Sequence, residues 1–203
     1  MSGLKIFRIV TWVAIAAAAG IWIGFGGIFP GTARVQKPVA IDTAAIGGPF
    51  ELTSHKGETV DNARLAGKPY LVFFGFTHCP DICPTTLFEL TDLMAKLGPA
   101  ADRLTPLFIT VDPERDTPEV LAEYMTAFDE RILALRGSLA ETDATVKAFA
   151  AYYRKAPTDG GGYTMDHTAG VILMEAEGRF AGTLDMHEPR EAVLAKLKRL
   201  AGA

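Results

Sequence analysis

The chain has 203 residues, 49% hydrophobic and 22% charged, with a formal net charge of −4 and a pI near 5.6. That balance excludes a nucleic-acid binder, which needs a basic stripe, and the length fits one ordinary domain plus an apolar segment. There is no internal repeat and no low-complexity run.

Lys5 and Arg8 precede an uncharged stretch of 21 residues, Ile9 through Phe29. As a helix it would measure roughly 32 Å, enough to cross a hydrocarbon core of about 30 Å. Both tryptophans, Trp12 and Trp22, lie in it. Positive charges ahead of an apolar span keep the N-terminus in the cytoplasm and send the chain beyond the span across the membrane. The alternative is a cleaved signal peptide, with an apolar core of about 7–15 residues ending in small residues. Ala16 to Gly20 offers small residues, but apolar sequence continues past them. Residues 1–29 therefore read as an uncleaved membrane anchor. The first eight residues leave no room for an Arg-rich transit peptide. The expected home is a bacterial inner membrane, crossed once, with the C-terminal domain in the periplasm. Residues 30–47, rich in Gly, Pro, Ala and Thr, read as a linker, and residues 48–203 as the domain.

Within the domain, Phe50–Thr53 and Glu58–Val60 flank Ser54–Gly57 as a small hairpin. Tyr70–Phe74 is a buried strand, followed by a turn and a helix over Thr85–Leu97 with Leu87, Leu90, Leu93, Met94 and Leu97 at helical spacing. Leu107–Val111 is a second buried strand, ended by Asp112-Pro113. Thr117 and Pro118 start the next helix as N-cap and first position, with Leu121, Tyr124, Met125 and Phe128 on its apolar face. Thr142–Tyr153 reads as a further helix, and Gly160–Gly162 as a flexible link. The strands Val171–Met174 and Phe180–Leu184 come next, with a turn at Glu177-Gly178, then a helix over Glu188–Leu200. The order is hairpin, β-α, β-α, α, β-β-α. It predicts an α/β fold: a mixed sheet flanked by helices, preceded by one N-terminal transmembrane helix.

The stretch Phe74-Gly75-Phe76-Thr77-His78-Cys79-Pro80-Asp81-Ile82-Cys83-Pro84 holds the only two cysteines. It lies in the turn from strand to helix. Pro84 suits the first helical position, which puts Cys83 at or next to the N-cap, where the helix dipole favours a thiolate. Such a pair can hold a soft metal ion or close and reopen a disulfide. A purely structural disulfide four residues apart closes too short a loop to stabilise much.

A cysteine pair after the first main strand, together with the β-β-α ending, is a thioredoxin-like arrangement. Thioredoxin-type proteins separate their cysteines by two residues and place a proline before the strand that opens the final hairpin. Here three residues intervene, and the proline region reads Asp166-His167-Thr168-Ala169-Gly170. In this fold His167 would sit beside the cysteine turn as a third ligand. Two thiolates and an imidazole suit copper, the thiolates Cu(I) and the imidazole Cu(II). Three ligands do not close a structural zinc site. His78 points away from Cys79 if the turn is extended, His55 and His187 read as surface residues, and Met165 as a packing residue rather than a weak ligand. Asp112, Glu114, Arg115 and Asp116 read as a solvated turn and helix start.

Three motifs carry a family resemblance: the cysteine stretch Phe74–Pro84, Val111-Asp112-Pro113-Glu114-Arg115-Asp116-Thr117, and Tyr163-Thr164-Met165-Asp166-His167-Thr168. In this order the chain resembles the Sco/SenC family of membrane-anchored, thioredoxin-like copper proteins that help build the copper centre of cytochrome c oxidase. The resemblance implies metal ligands at Cys79, Cys83 and His167, with Asp166 before the histidine as in the family. It implies no catalytic residues, and one copper ion, Cu(I) or Cu(II), as cargo. The implied partners are the copper-receiving oxidase subunit and a periplasmic copper donor, with a contact role for the 112–116 run. The alternative is a thiol–disulfide oxidoreductase that uses Cys79 and Cys83 to reduce the cysteines of the oxidase copper site or of other exported targets. A peroxide-reducing enzyme on the same fold would need Thr-x-x-Cys, which Thr77-His78-Cys79 does not supply.

Overall fold

The computed structural model describes residues 11–13, 15–16 and 46–203. Most of the expected anchor, Ile9–Phe29, and all but the end of the expected linker lie outside the described residues. Thr11, Trp12, Val13, Ile15 and Ala16 are helical. No helix among the described residues is long and apolar enough to cross a membrane.

Strand β3, Tyr70–Gly75, organises the domain. All six of its residues are buried, as a strand covered on both faces requires. It runs parallel to β4, Thr105–Thr110, from the pair Tyr70–Thr105 to the pair Gly75–Thr110. β4 is parallel in turn to β5, Leu133–Arg136. Antiparallel partners complete both sides: β1, Glu51–Ser54, with β2, Thr59–Asp61, beyond β5, and β8, Val171–Met174, with β9, Phe180–Leu184, beyond β3. The seven-stranded order is β2-β1-β5-β4-β3-β8-β9. The mixed sheet flanked by helices is the predicted fold class.

A short helix α1, Asn62–Leu65, follows β2. Helix α2, Ile82–Leu97, buries Leu87, Leu90, Leu93, Met94 and Leu97, each such side chain contributing about 1.5–3 kcal/mol. Helix α3, Pro118–Met125, starts as predicted: the Thr117 hydroxyl accepts the Val120 N–H at 3.3 Å, and Pro118 is the first helical residue. Helix α5, Arg190–Leu200, closes the chain and packs against α2.

Two expectations fail. Helix α4 spans Leu139–Ala148, not 142–153. It opens with a capping box in which the Ser138 hydroxyl accepts the Glu141 N–H and the Glu141 carboxylate accepts the Ser138 N–H at 2.6 Å. It ends at Ala150, whose φ of +50° is left-handed. The Ala150 N–H donates to the Lys147 carbonyl and the Ala151 N–H to the Val146 carbonyl, which is a Schellman stop. An alanine there leaves no glycine signal in the sequence. The second failure stems from the first. Tyr153 belongs to β6, Tyr153–Pro157, which pairs antiparallel with β7, Tyr163–His167. The Gly160–Gly162 cluster is the turn between them, closed by Thr158 N–H to the Gly162 carbonyl at 3.0 Å. This two-stranded ladder is separate from the main sheet.

Candidate metal centre

The cysteines emerge from the carboxyl end of β3. Gly75 closes that strand, and no other residue fits: a Cβ would sit 2.6 Å from the Phe108 ring and 2.9 Å from Cys83 Sγ. Helix α2 begins at Ile82 with Asp81 as N-cap. Cys83 is therefore the second helical residue and Pro84 the third, where the spacing predicts Pro84 as the first. Proline is tolerated anywhere in this first turn, where N–H groups lack intrahelical partners. The Asp81 side chain makes no cap hydrogen bond. Instead the free Cys83 N–H donates to Cys79 Sγ at 3.3 Å, so the helix start faces the Cys79 sulfur.

Both cysteines are free; Cys83 is fully buried and Cys79 half-buried. Burial pushes the Cys83 thiol well above its ordinary range. The expectation of a dipole-stabilised thiolate at Cys83 is thus corrected for the metal-free protein: desolvation outweighs the helix end.

His167 is the last residue of β7, not a loop residue, and lies half-buried. Its ring meets Phe73 and Phe76 edge-on at 6.3 and 5.8 Å. Nδ1 lies 3.0 Å from the Thr168 carbonyl, which can only accept. Nδ1 therefore carries the proton, and the Nε2 lone pair faces Cys83 Sγ at 3.5 Å. Burial lowers the imidazole's affinity for a second proton, against the opposing pull of the Thr168 carbonyl and Asp166. Cys79, Cys83 and His167 each offer one donor atom, and these atoms lie within 4.8 Å of one another. That is close to twice a metal–sulfur bond of ~2.3 Å, so one ion fits among them. A cleft of about 380 Å³ beside the group is lined by Phe76, Cys79, Pro80, Ile82, Met165 and His167.

The other candidates fall elsewhere. His78 Nδ1 is 3.1 Å from the Thr77 hydroxyl and 3.8 Å from Asp116, outside the donor group. His55 accepts the Ala134 N–H, His187 is exposed and paired with Asp185, and Met165 is buried in the core.

The 111–117 segment is not a solvated turn. Asp112 and Asp116 are buried, at 1% and 0% exposure. Asp116 accepts the Thr77 N–H at 3.1 Å, the Thr77 hydroxyl at 2.6 Å and the Thr110 hydroxyl at 2.5 Å. It thereby ties down the turn two residues before Cys79. Asp112 accepts from Arg115 Nε and from the Tyr163 hydroxyl. Thr77, Thr110 and Tyr163, two of them distant in the chain, bring these buried carboxylates their hydrogen bonds.

Comparison with known proteins decides the lineage. A family model described as SCO1/SenC matches residues 39–202. The chain belongs to the SCO1/SenC family. The human mitochondrial SCO1 homolog is 32% identical over 201 residues, covering 93% of this chain and 66% of that one. Solved structures of similar proteins include members with copper bound. Bradyrhizobium japonicum ScoI is 46% identical with a TM-score of 0.72, covering 77% of this chain and 99% of that one. Yeast Sco1 is 34% identical with a TM-score of 0.71, covering 78% and 90%. The thioredoxin-like fold of the SCO1/SenC proteins is the fold of residues 46–203.

Proposed function

We propose that this SCO1/SenC protein is a copper chaperone: it binds one copper ion through Cys79, Cys83 and His167 and delivers it to the copper centre of cytochrome c oxidase. The observation that carries the reading is the convergence of two sulfurs and one unprotonated imidazole nitrogen within 4.8 Å. The donor set fits copper: thiolates take Cu(I), and the imidazole adds the nitrogen donor that Cu(II) prefers. Copper in the related ScoI and Sco1 structures and the Sco family's place among cytochrome c oxidase assembly proteins support it. Copper is cargo here, and no turnover is involved. The test is titration of the protein with Cu(I) and Cu(II), followed by transfer to the apo copper domain of the oxidase. One ion bound and passed on is expected; no binding, or binding that survives loss of both cysteines, refutes it.

A second reading, thiol–disulfide exchange with the oxidase cysteines, draws on one asymmetry. Cys79 is reachable from solvent while Cys83 is buried behind it, as an attacking and a resolving thiol would be. His167 separates the readings, being needed for Cu(II) and dispensable for exchange.

The anchor belongs to the same proposal. Residues 1–29 hold the domain at a bacterial inner membrane and residues 30–47 let residues 48–203 reach their partners in the periplasm. The Lys5/Arg8 flank and the uncharged span support this. Protease added to spheroplasts should digest the domain; full protection refutes the topology.

A further inference from the structure

The donor atoms come from two pieces of the fold that share no strand ladder. The cysteines belong to the β3–α2 turn of the main sheet, and His167 to the separate β6–β7 hairpin. One segment reaches both. At one end Asp116 fastens Thr77, beside the cysteines. At the other, Arg115 donates from Nε to Asp112 and from Nη1 to the Tyr163 carbonyl at 3.0 Å. The guanidinium lies 3.8 Å over the Tyr163 ring and 5.8 Å from Phe76, whose own ring meets His167. The Tyr163 hydroxyl returns to Asp112 at 3.0 Å. The Asp112 carbonyl accepts the Arg115 and Asp116 N–H groups at 3.2 and 3.0 Å, so the two ends form one turn.

We propose that Arg115, acting with Asp112 and Tyr163, is the positioning residue for His167. The clamp seats the hairpin so that Nε2 faces the two sulfurs. This rests on the copper reading of Cys79, Cys83 and His167. Tyr163 and His167 are the two ends of β7, about 13 Å apart along an extended strand, and fixing one end of a hydrogen-bonded strand aims the other. The exposed pair Lys155–Glu114 adds little by comparison, because solvent screens it. Arg115 is half-sheltered and uses its planar fork and its face together, which a lysine cannot reproduce. Because Asp116 holds the cysteine turn independently, releasing Arg115 frees the imidazole and leaves the dithiolate in place.

The test uses the full chain carrying R115A, R115K, Y163F, H167A or the pair R115A/H167A. The readouts are Cu(I) and Cu(II) affinity by competition, the Cu(II)–thiolate absorption band, and amide exchange in the metal-free protein. R115A should weaken Cu(II) about 10–100-fold, the range for a group that orients a ligand, and leave Cu(I) affinity unchanged. R115K should resemble R115A. Y163F, which loses one hydroxyl bond and keeps the stacked ring, should have the smaller effect. R115A/H167A should match H167A, since a clamp without its histidine has nothing left to position. In metal-free R115A the β7 amides should exchange faster while those of β3 do not. Equal losses for both oxidation states, an additive double variant, or unchanged β7 exchange overturns the proposal. An H167A protein with an unaltered Cu(II) band overturns the ligand reading beneath it, whatever R115A does.

Discussion

The cysteine turn and the histidine hairpin meet at one site but are built by opposite means. The turn grows out of β3, whose six residues are buried, and its sulfurs are placed by core packing: Gly75 opens the space, Phe108 lines it, and helix α2 begins at it. The hairpin is mostly polar: β6 has no buried residue, and in β7 only Met165 is buried in the core. Beyond that one anchor it is held by Arg115, Asp112, Tyr163 and the Tyr153–Asp143 hydrogen bond. A core sets positions through many small contacts that cannot move singly, whereas a polar clamp sets them through a few directional ones. The two halves should therefore fail differently.

The largest effect is expected on the cysteine side. Cys83→Ser should abolish tight binding of both copper oxidation states, a loss beyond the ~10–100-fold that removal of a supporting group costs. Metal content after purification and competition titration measure it; retained Cu(I) would show that one thiolate suffices. His167→Ala comes next. It should remove the Cu(II)–thiolate band, spare Cu(I), and leave the melting temperature of the metal-free protein nearly unchanged, because the hairpin lies outside the main sheet. An unchanged Cu(II) spectrum would take His167 out of the ligand set.

Gly75→Ala tests the packing side without removing a donor atom. The added methyl meets the Phe108 ring and Cys83 Sγ, and overpacking of this kind costs about 1–3 kcal/mol. In a domain of this size each kcal/mol lowers the melting temperature by about 2–4 °C, and Cu(I) affinity should fall with it. Neutral behaviour in both measurements would mean that the turn relaxes and that its geometry is not set by the core.

Ala150→Gly works at the entry to the hairpin in the stabilising direction. An L-residue in the left-handed region costs about 1–2 kcal/mol, so glycine at this φ of +50° should add about 1 kcal/mol in denaturant titration, with copper affinity unaltered. A loss of stability would mean that the alanine methyl makes contacts worth more than the strain.

The smallest expected difference is none at all. At pH 7 the buried His167 is neutral, because its pKa is lowered, and Cys83 is protonated, because its pKa is raised. Deprotonating Cys83 to bind metal releases a proton; engaging the imidazole Nε2 does not. Affinity should thus rise with pH for a reason lying wholly on the cysteine side. Calorimetry in buffers of different ionisation enthalpy should give the same proton release at pH 7 for the wild type and for His167→Ala. One fewer proton in the variant would show that the imidazole binds as a former imidazolium.

The same contrast explains what was legible. β3, β4 and β8 announce themselves as apolar runs, and α2 by its leucine spacing, because core burial writes a pattern into sequence. β5 is four residues long, too short for a periodicity to form. β6, Tyr-Arg-Lys-Ala-Pro, carries no apolar alternation, and Phe149, Ala150 and Tyr153 happen to extend the helical period of α4 past its true end. The Ser138–Glu141 capping box was present in the sequence, its Ser138 four residues before the expected helix start at Thr142. Cys79, Cys83 and His167 were singled out through the chain order of elements and a family likeness, and the fold brings their donor atoms within 4.8 Å of one another. Asp112 and Asp116 were not, since a carboxylate looks the same in a solvated turn as in a buried one. Only the fold brings Thr77, Thr110 and Tyr163 to them.

Cys83 lies fully buried behind Cys79, and this arrangement gives the site a front and a back. On the proposed ligand set, an acceptor arriving from solvent meets Cys79 and the imidazole before it can touch Cys83. The ion would leave by exchanging its outer donors first and its inner thiolate last, so departure has a fixed sequence. In the copper-loaded protein a thiol-blocking reagent should accordingly label Cys79 before Cys83 as the ion departs. Reversal of that order would mean that the ion leaves by another route.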